Sequence, residues 1–256
     1  NSERRGMRFA KMHGCGNDFI VIDAADGPWT VDVARSRALC DRRFGVGADG
    51  VLLIGEPSGR RWPVEIHNAD GSIAEACGNG SRCVVRHLLD RHGGDRLELA
   101  TRGGLVKGWR DPEGIAIALD PPVLGEPFEL VVERRRIAGR RVRAGNPNLV
   151  LFVDDPERED LARLAAAARA VAGGGNVALC AVRDGTLTLR VDERGVGETL
   201  ACGTGSCAAA AAALAAGSVL GDTVRVTLRG GTLVVRRERE RYVLAGPAEY
   251  VFEGTV

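Results

Sequence analysis

Residues 75 to 83 read EACGNGSRC and residues 200 to 207 read LACGTGSC, so one phrase, Ala-Cys-Gly-x-Gly-Ser, stands once in each half of the chain. Each copy leads into a run of helical character: VVRHLLDRH, stopped by two glycines, after the first, and an alanine-rich run ended by Gly217 after the second. A cysteine placed just ahead of Gly-x-Gly-Ser at a helix start sits where unpaired backbone N–H groups converge and the helix dipole is positive. Such a position lowers a thiol pKa and binds carboxylate or phosphate oxygens. Each copy therefore offers a reactive sulfur beside an anion site.

The rest of the chain runs twice through a similar order. MRFAKMH and FIVID read as strands about a glycine turn, residues 31 to 43 have helical spacing, and VLLI returns to strand. After the first cysteine phrase and its helix come strands around LELATR, LVKGWR and IAIALD. DPPVLGEP, residues 120 to 127, is the most proline-dense stretch and marks a boundary near residue 121. Beyond it, RRIAGRRVRAG and LVLFVDD read as strands, EREDLARLAAAARAVAG as a helix, and NVALCAV and TLTLRVDERG as strands, followed by the second phrase and its helix. VRVTLRGGTLVVRRE reads as a hairpin about Gly230 and Gly231. Two halves, each with one cysteine-glycine turn feeding one helix, suggest a duplicated unit and a cleft with one cysteine on each side.

Composition narrows the partners. With 35 Lys+Arg against 34 Asp+Glu the net charge is +1, so no global excess advertises nucleic acid or an anionic membrane, and a small ligand is the expected partner. The residues ahead of Met7, NSERRG, lack an initiator and read as an appended remnant. The run AAAAAALAA at 208 to 216 is far shorter than the roughly 20 apolar residues that cross a bilayer, which points to a soluble, cytoplasmic protein. Seven scattered cysteines suit a reducing compartment and free thiols. Cys83 and Cys207 read as packing residues within their helices, and Cys15, Cys40 and Cys180 as structural. A zinc site built from Cys77, Cys83, Cys202 and Cys207 is disfavoured, because neither pair has C-x2-C spacing and no histidine adjoins the second; no metal is expected. GVGADG at 45 to 50 matches G-x-G-x-x-G literally but leads into a strand, the wrong order for a dinucleotide loop. RRVR and RRERER read as solvated faces.

Two thiols at two helix N-termini suit one reaction. One thiolate removes the proton from a carbon next to a carboxylate, and a thiol returns a proton on the opposite face. The helix termini stabilise the charge that develops as the carboxylate becomes enolate-like. Racemisation or epimerisation by two bases is the reading these turns support.

Five phrases, HGCGNDF (13 to 19), NADGSIAEACGNGSRC (68 to 83), GNPN (145 to 148), GGNV (174 to 177) and ERGVGETLACGTGS (193 to 206), together resemble the diaminopimelate epimerase family over residues 7 to about 252. The histidine that proline racemases carry in the first turn is absent; Asn79 and Thr204 follow the two Cys-Gly pairs. The resemblance implies a cofactor-independent isomerase that interconverts LL- and meso-diaminopimelate on the route to lysine and peptidoglycan. It implies Cys77 and Cys202 as proton-transfer residues, and Gly78, Asn79, Gly203 and Thr204 as binders of the carboxylate and amine at the reacting centre. Asn17, Asn68, Asn146, Asn176 and Arg194 would hold the rest of the substrate. Arginine suits the distal carboxylate on chemical grounds alone, whereas asparagines beside Gly, Asp, Ala or Pro equally suit turns. Glu193, beside the second phrase, would bind substrate and tune the proton on Cys202.

Two departures stand out. Asn148 occupies the place of the histidine in the family's GNPH, so the group beside the first cysteine cannot titrate. Gly50 stands where some members carry a glutamine that touches substrate. A racemase of the same family acting on another amino acid, and a non-catalytic amino-acid-binding protein of the same fold, are the competing readings. The joint presence of Arg194 and the asparagines favours diaminopimelate over the first, and retention of both cysteines opposes the second. A Cys77–Cys202 disulfide that inactivates the protein is a further expectation. The expected fold is α+β: two similar pseudo-symmetric domains, each a curled, mostly antiparallel, barrel-like sheet around a central helix, with the active site in the cleft between them. Residues 1–121, completed by 249–256, would form the first and 122–248 the second, and the assembly would be a homodimer.

Overall fold

The computed structural model describes residues 6–239 and 241–256; residues 1–5 of the NSERRG segment, expected to be a remnant, and Glu240 of the RRERER run, expected to be a solvated face, lie outside the described residues. The chain forms two compact units, one ending at Ile117 and rejoined by Pro247–Val256, the other Ala118–Gly246.

In the first unit β1 (Arg8–Gly14) and β2 (Asn17–Asp23) form an antiparallel hairpin. Cys15 and Gly16 turn it with φ of 54° and 80°, both left-handed, the backbone that matches strand twist in a two-residue loop. α1 (Val33–Cys40) starts where Asp32 accepts from Arg35 N–H. β3 (Gly50–Ile54) then lies parallel to β2, β4 (Arg61–Asn68) antiparallel to β3, and the short β5 (Ile73–Ala74) along β4. α2 (Gly78–His92) follows, then β6 (Arg96–Thr101) parallel to β4 and the antiparallel β7 (Gly104–Asp111) and β8 (Gly114–Leu119).

The second unit repeats this order. β9 (Val123–Val132), β10 (Arg135–Ala144) and β11 (Asn146–Phe152) are antiparallel neighbours, α3 (Leu161–Ala172) crosses over, and β12 (Asn176–Arg183) is parallel to β11. β13 (Thr186–Glu193) is antiparallel to β12 and carries the short β14 (Gly197–Thr199). After α4 (Gly203–Ala215), β15 (Thr223–Leu228) pairs parallel with β13, and β16 (Gly231–Arg237) and β17 (Tyr242–Gly246) continue antiparallel. The closing strand β18 (Glu249–Thr255) pairs antiparallel with β1 in the first unit, the place β9 holds beside β10 in the second. Strand for strand, the two sheets share one sequence of parallel and antiparallel pairings.

β9 is the strand that local sequence hides. Three prolines, Pro121, Pro122 and Pro127, argue against a strand there, yet Pro127 is tolerated because the described pairings of β9 are with β10 alone. In α3 the helical run begins later than its spacing suggests, at the cap Asp160, which accepts from Arg163 N–H.

Each sheet curls around the helix that follows a cysteine phrase. Cys83, Val84, Val85 and Leu88 of α2 are fully buried, and burying each such aliphatic side chain contributes about 1.5–3 kcal/mol. Gly108 on β7 permits the close approach: a Cβ there would lie 2.3 Å from Val85. In α4 the residues from Ser206 to Ala213 are all buried, so the helix has no polar stripe, and its methyl-sized side chains let the sheet wrap close on every side.

Candidate active site

Cys77 and Cys202 are the N-cap residues of α2 and α4. Both have extended backbone, with φ/ψ of −147°/110° and −134°/112°. Each sulfur takes the capping role usually filled by a side-chain oxygen: Gly80 N–H donates to Cys77 Sγ at 3.3 Å and Gly205 N–H to Cys202 Sγ at 3.4 Å. The second glycine of each phrase makes this possible, since a Cβ at Gly80 would stand 3.1 Å from Leu52, and one at Gly205 would stand 3.3 Å from both Cys202 Sγ and Val191. Ser206 closes the second turn by donating to Cys202 O at 2.8 Å. Cys77 is half-buried, and the other six cysteines are buried.

Around Cys77, side-chain amides line up head to tail. Arg82, wholly buried, donates from Nη2 to Asn79 Oδ1 at 2.9 Å, and Asn79 Nδ2 donates to Asn17 Oδ1 at 3.2 Å. Asn17 Nδ2 donates in turn to Asp49 Oδ2 at 2.8 Å. The Cys77 thiol points at the same Asn17 Oδ1, at 4.0 Å. Behind Asn17, Arg42 grips Asp18 with both terminal nitrogens and reaches Asp49 at 2.8 Å, while buried Lys11 pairs with Asp18 at 2.6 Å and also donates to Gly47 O. Burial alone would raise the Asp18 carboxyl, but Arg42 and Lys11 outweigh it and hold it well below the usual carboxylate range. Asn68 lies close by, because Ala69 N–H donates to Asp49 O at 3.1 Å; its own amide donates to Ser72 Oγ at 2.9 Å within the turn that follows β4.

Around Cys202 the surroundings differ. Thr204 Oγ1 lies 3.4 Å from the sulfur, and Glu193 is held by Thr199, whose hydroxyl donates to Oε1 at 2.7 Å. Burial first, and then the Glu193 charge, push the Cys202 thiol up to about 12, against the lowering effects of Thr204 and Gly205 N–H. The lowering expected for a sulfur at a helix N-terminus is thus present but overruled, because desolvation of a buried thiolate outweighs one turn of N–H dipoles.

Beside Glu193 lies a recess of about 160 Å³ lined by Asn146, Pro147, Gly175, Asn176, Glu193 and Arg194, with Val196 at its edge. Asn176 Oδ1 accepts from Arg194 N–H at 3.0 Å, which ties strand β12 to the turn after β13. Arg169 of α3 supports the recess from behind, donating to Gly175 O at 2.9 Å and to the backbone and carboxylate of Asp192. Asn148, next to Pro147 in sequence, is 1% exposed; its amide donates to Asn146 O at 2.7 Å and its buried Oδ1 has no partner. Gly203 and Thr204 form the first turn of α4.

In the second unit the recess gathers Asn146, Asn176, Glu193 and Arg194, and Glu193 with Gly203 and Thr204 adjoins Cys202; in the first unit Asn17, Gly78 and Asn79 adjoin Cys77, and Asn68 lies in the turn after β4. Sequence reading missed the residues that hold these in place: Lys11, Asp18, Arg42, Asp49, Arg82, Arg169 and Thr199. One signal existed for Asp49, since GVGADG had no role as a dinucleotide loop; it is the turn that carries Asp49 to Asn17. Gly50 also has a steric reason, as a Cβ there would meet His67 O at 2.5 Å across the sheet.

The diaminopimelate epimerase family model matches residues 9–124 and 141–251. The diaminopimelate epimerase of Thioalkalivibrio sulfidiphilus is 38% identical over 275 residues, covering 98% of this chain and 99% of that one. That of Thermobifida fusca is 40% identical over 270 residues, 98% of each. Among solved structures, a PhzF-family phenazine biosynthesis protein from Enterococcus faecalis superposes with a TM-score of 0.78 at 14% identity, covering 98% of this chain and 99% of that one. A hydroxyproline epimerase from Agrobacterium vitis gives 0.72 at 18% identity, covering 99% and 93%. At these identities the two structures speak for the fold alone.

Proposed function

The chain belongs to the diaminopimelate epimerase family, and on that premise we propose that it interconverts LL- and meso-diaminopimelate with Cys77 and Cys202 as the proton-transfer pair. One sulfur, as thiolate, takes the α-proton; the other, as thiol, delivers a proton to the opposite face of the same carbon. The observation that carries this reading is the repeated N-cap: in both units a cysteine sulfur sits within 3.4 Å of a backbone N–H at the start of a buried helix. The N–H groups of these first turns, with Gly78, Asn79, Gly203 and Thr204, suit the substrate carboxylate and amine, and would stabilise the charge that builds there in the transition state.

The distal end of the substrate carries a second carboxylate and amine. Arg194 offers the carboxylate a two-pronged donor, and the amide oxygens of Asn146 and Asn176 suit an ammonium. Asn17 and Asn68 would also bind the substrate, as the family resemblance implies. Glu193 accepts from Cys202 when that sulfur is protonated and takes up part of its proton when the sulfur must act as base. A homodimer in the cytoplasm is the expected setting; among the described residues no helix is long and apolar enough to cross a membrane.

The test is isotopic. Incubated with LL-diaminopimelate in deuterated water, the protein should place deuterium at one α-carbon only, and meso product should accumulate. Absence of exchange in reduced protein would overturn the assignment.

A further inference from the structure

Asn17 is a symmetric-looking amide with two ends of opposite character, and which end faces Cys77 matters. An oxygen held against the sulfur accepts from S–H and favours the thiol; an NH₂ group there would donate and favour the thiolate. Nothing in Asn17 itself chooses between the two. The choice is made at the ends of the chain of amides: Arg82 can only donate, and the Asp49 oxygens accept, from Asn17 Nδ2, Asp18 N–H and Arg42. Between those two ends the order Arg82, Asn79, Asn17, Asp49 has a single arrangement in which every contact pairs a donor with an acceptor.

We infer that Asp49 is a positioning residue that locks the Asn17 amide with its oxygen toward the Cys77 sulfur, and so keeps a proton acceptor, not a donor, beside that thiol. The inference rests on the reading of Cys77 as a proton-transfer residue. Asp49 acts through Asn17, from whose amide N–H it accepts. It also fixes where Asn17 stands, since its carboxylate accepts from Asp18 N–H at 3.2 Å and its carbonyl from Ala69 N–H at 3.1 Å. Among neighbouring titratable groups, Cys83 on α2 feels the charges of Arg82, Cys77 and Cys15, and Cys15 in the β1–β2 turn those of Arg82 and Glu249. None of these changes in the substitutions below.

The readout is the reaction of Cys77 with iodoacetamide, followed by peptide mapping from about pH 6 to about pH 10, because only the thiolate reacts. Cys77 is the one cysteine among the described residues that is not buried, and no turnover is needed, so the result stands apart from whether the protein epimerises diaminopimelate. Arg82 still fixes Asn79 in Asp49→Asn, but a turned Asn17 amide then meets one mismatched contact, with Asn79, instead of two, so the inflection of the alkylation profile should fall, by at most about 0.5–1 pH unit, the effect of losing one hydrogen bond to the protonated form. Asn17→Leu removes the acceptor outright and should lower it by a similar amount. In the double variant the two effects should not add, because both act through one oxygen. A profile for Asp49→Asn that superimposes on the parent's would overturn the inference. So would full additivity, which would mean that the Asp49 charge acts on the sulfur directly. If Asp49→Asn does not fold, Asn17→Leu alone decides: no fall in the inflection refutes the acceptor role.

Discussion

Cys202→Ala reports the proton on Cys202 without any catalytic assay. In the folded protein this thiol is pushed up to about 12 from an ordinary value of 9.0, chiefly by burial and then by Glu193. An acid whose folded pKa is raised favours folding below its unfolded pKa, and that contribution disappears as pH rises from 9 toward 12, where only the unfolded chain ionises. Between pH 7 and pH 10.5 the wild type should lose about 2 kcal/mol through this single group, from 1.36 kcal/mol for each unit beyond pH 9 and the usual rounding near it. Alanine removes the group, along with the sulfur that caps α4 and fills its space, at a cost of about 1–2 kcal/mol at neutral pH. The gap between the two stabilities should therefore shrink by about 2 kcal/mol on going alkaline, closing near about pH 10. Cys83 and Cys180, also pushed up to about 12, steepen both curves equally and cancel in the difference. The assay is urea unfolding followed by far-ultraviolet circular dichroism, since Trp29, Trp62 and Trp109 all lie in the first unit and their fluorescence would not report on α4. A gap that stays constant from pH 7 to pH 10.5 would show that Cys202 ionises as easily folded as unfolded, and the argument from burial and Glu193 would fail.

Three further outcomes are expected. Glu193→Gln should lower the Cys202 pKa and reduce kcat by about 100-fold or more with little change in KM; kcat within about threefold of wild type would remove Glu193 from the proton path. Asn148→His places a titratable ring where a buried amide oxygen has no partner, so the pH–rate profile should gain an inflection in the range of histidine; an unchanged profile would mean that this position does not tune either sulfur. Gly50→Gln should lower stability by about 1–3 kcal/mol, because its Cβ meets a backbone oxygen, not a movable side chain; a melting temperature equal to the parent's would show that β4 yields freely.

The features legible in the sequence were those fixed by local chemistry. The cysteine phrases announced helix starts because Gly-x-Gly leaves N–H groups open, and both cysteines are N-caps. The alanine run announced a helix that a sheet could wrap, and α4 is buried from Ser206 to Ala213. The duplication was visible only as a repeated phrase, whereas the shared pairing order of the two sheets needs registers that no local pattern encodes. β9 was lost to its prolines, which are excluded from central strands but not from an edge. Most of the residues that orient the site were invisible for a related reason: Arg169 is seven positions from Asn176 yet acts on Asp192, and Asp49 reaches back to Asn17 across a parallel pairing. The elevated Cys202 thiol was missed because burial belongs to the whole fold, while the helix terminus that argues the other way is written in a few adjacent letters.

The same local turn thus carries two sulfurs into unequal settings. Each receives one backbone N–H, which favours the thiolate, and each has an oxygen nearby, which favours the thiol. The N–H contacts are nearly equal, at 3.3 and 3.4 Å, so the difference between the two sulfurs lies in burial and in the oxygen. For half-buried Cys77 the oxygen is the neutral amide of Asn17; for buried Cys202 a full carboxylate, Glu193, stands beside it. A charged acceptor in a desolvated place holds a proton more firmly than a neutral one near solvent. In the neutral range Cys202 therefore keeps its proton, and in the proposed reaction it would start as the acid. In the other direction that proposal requires the proton to leave Cys202, beside which stands the carboxylate of Glu193, held by Thr199.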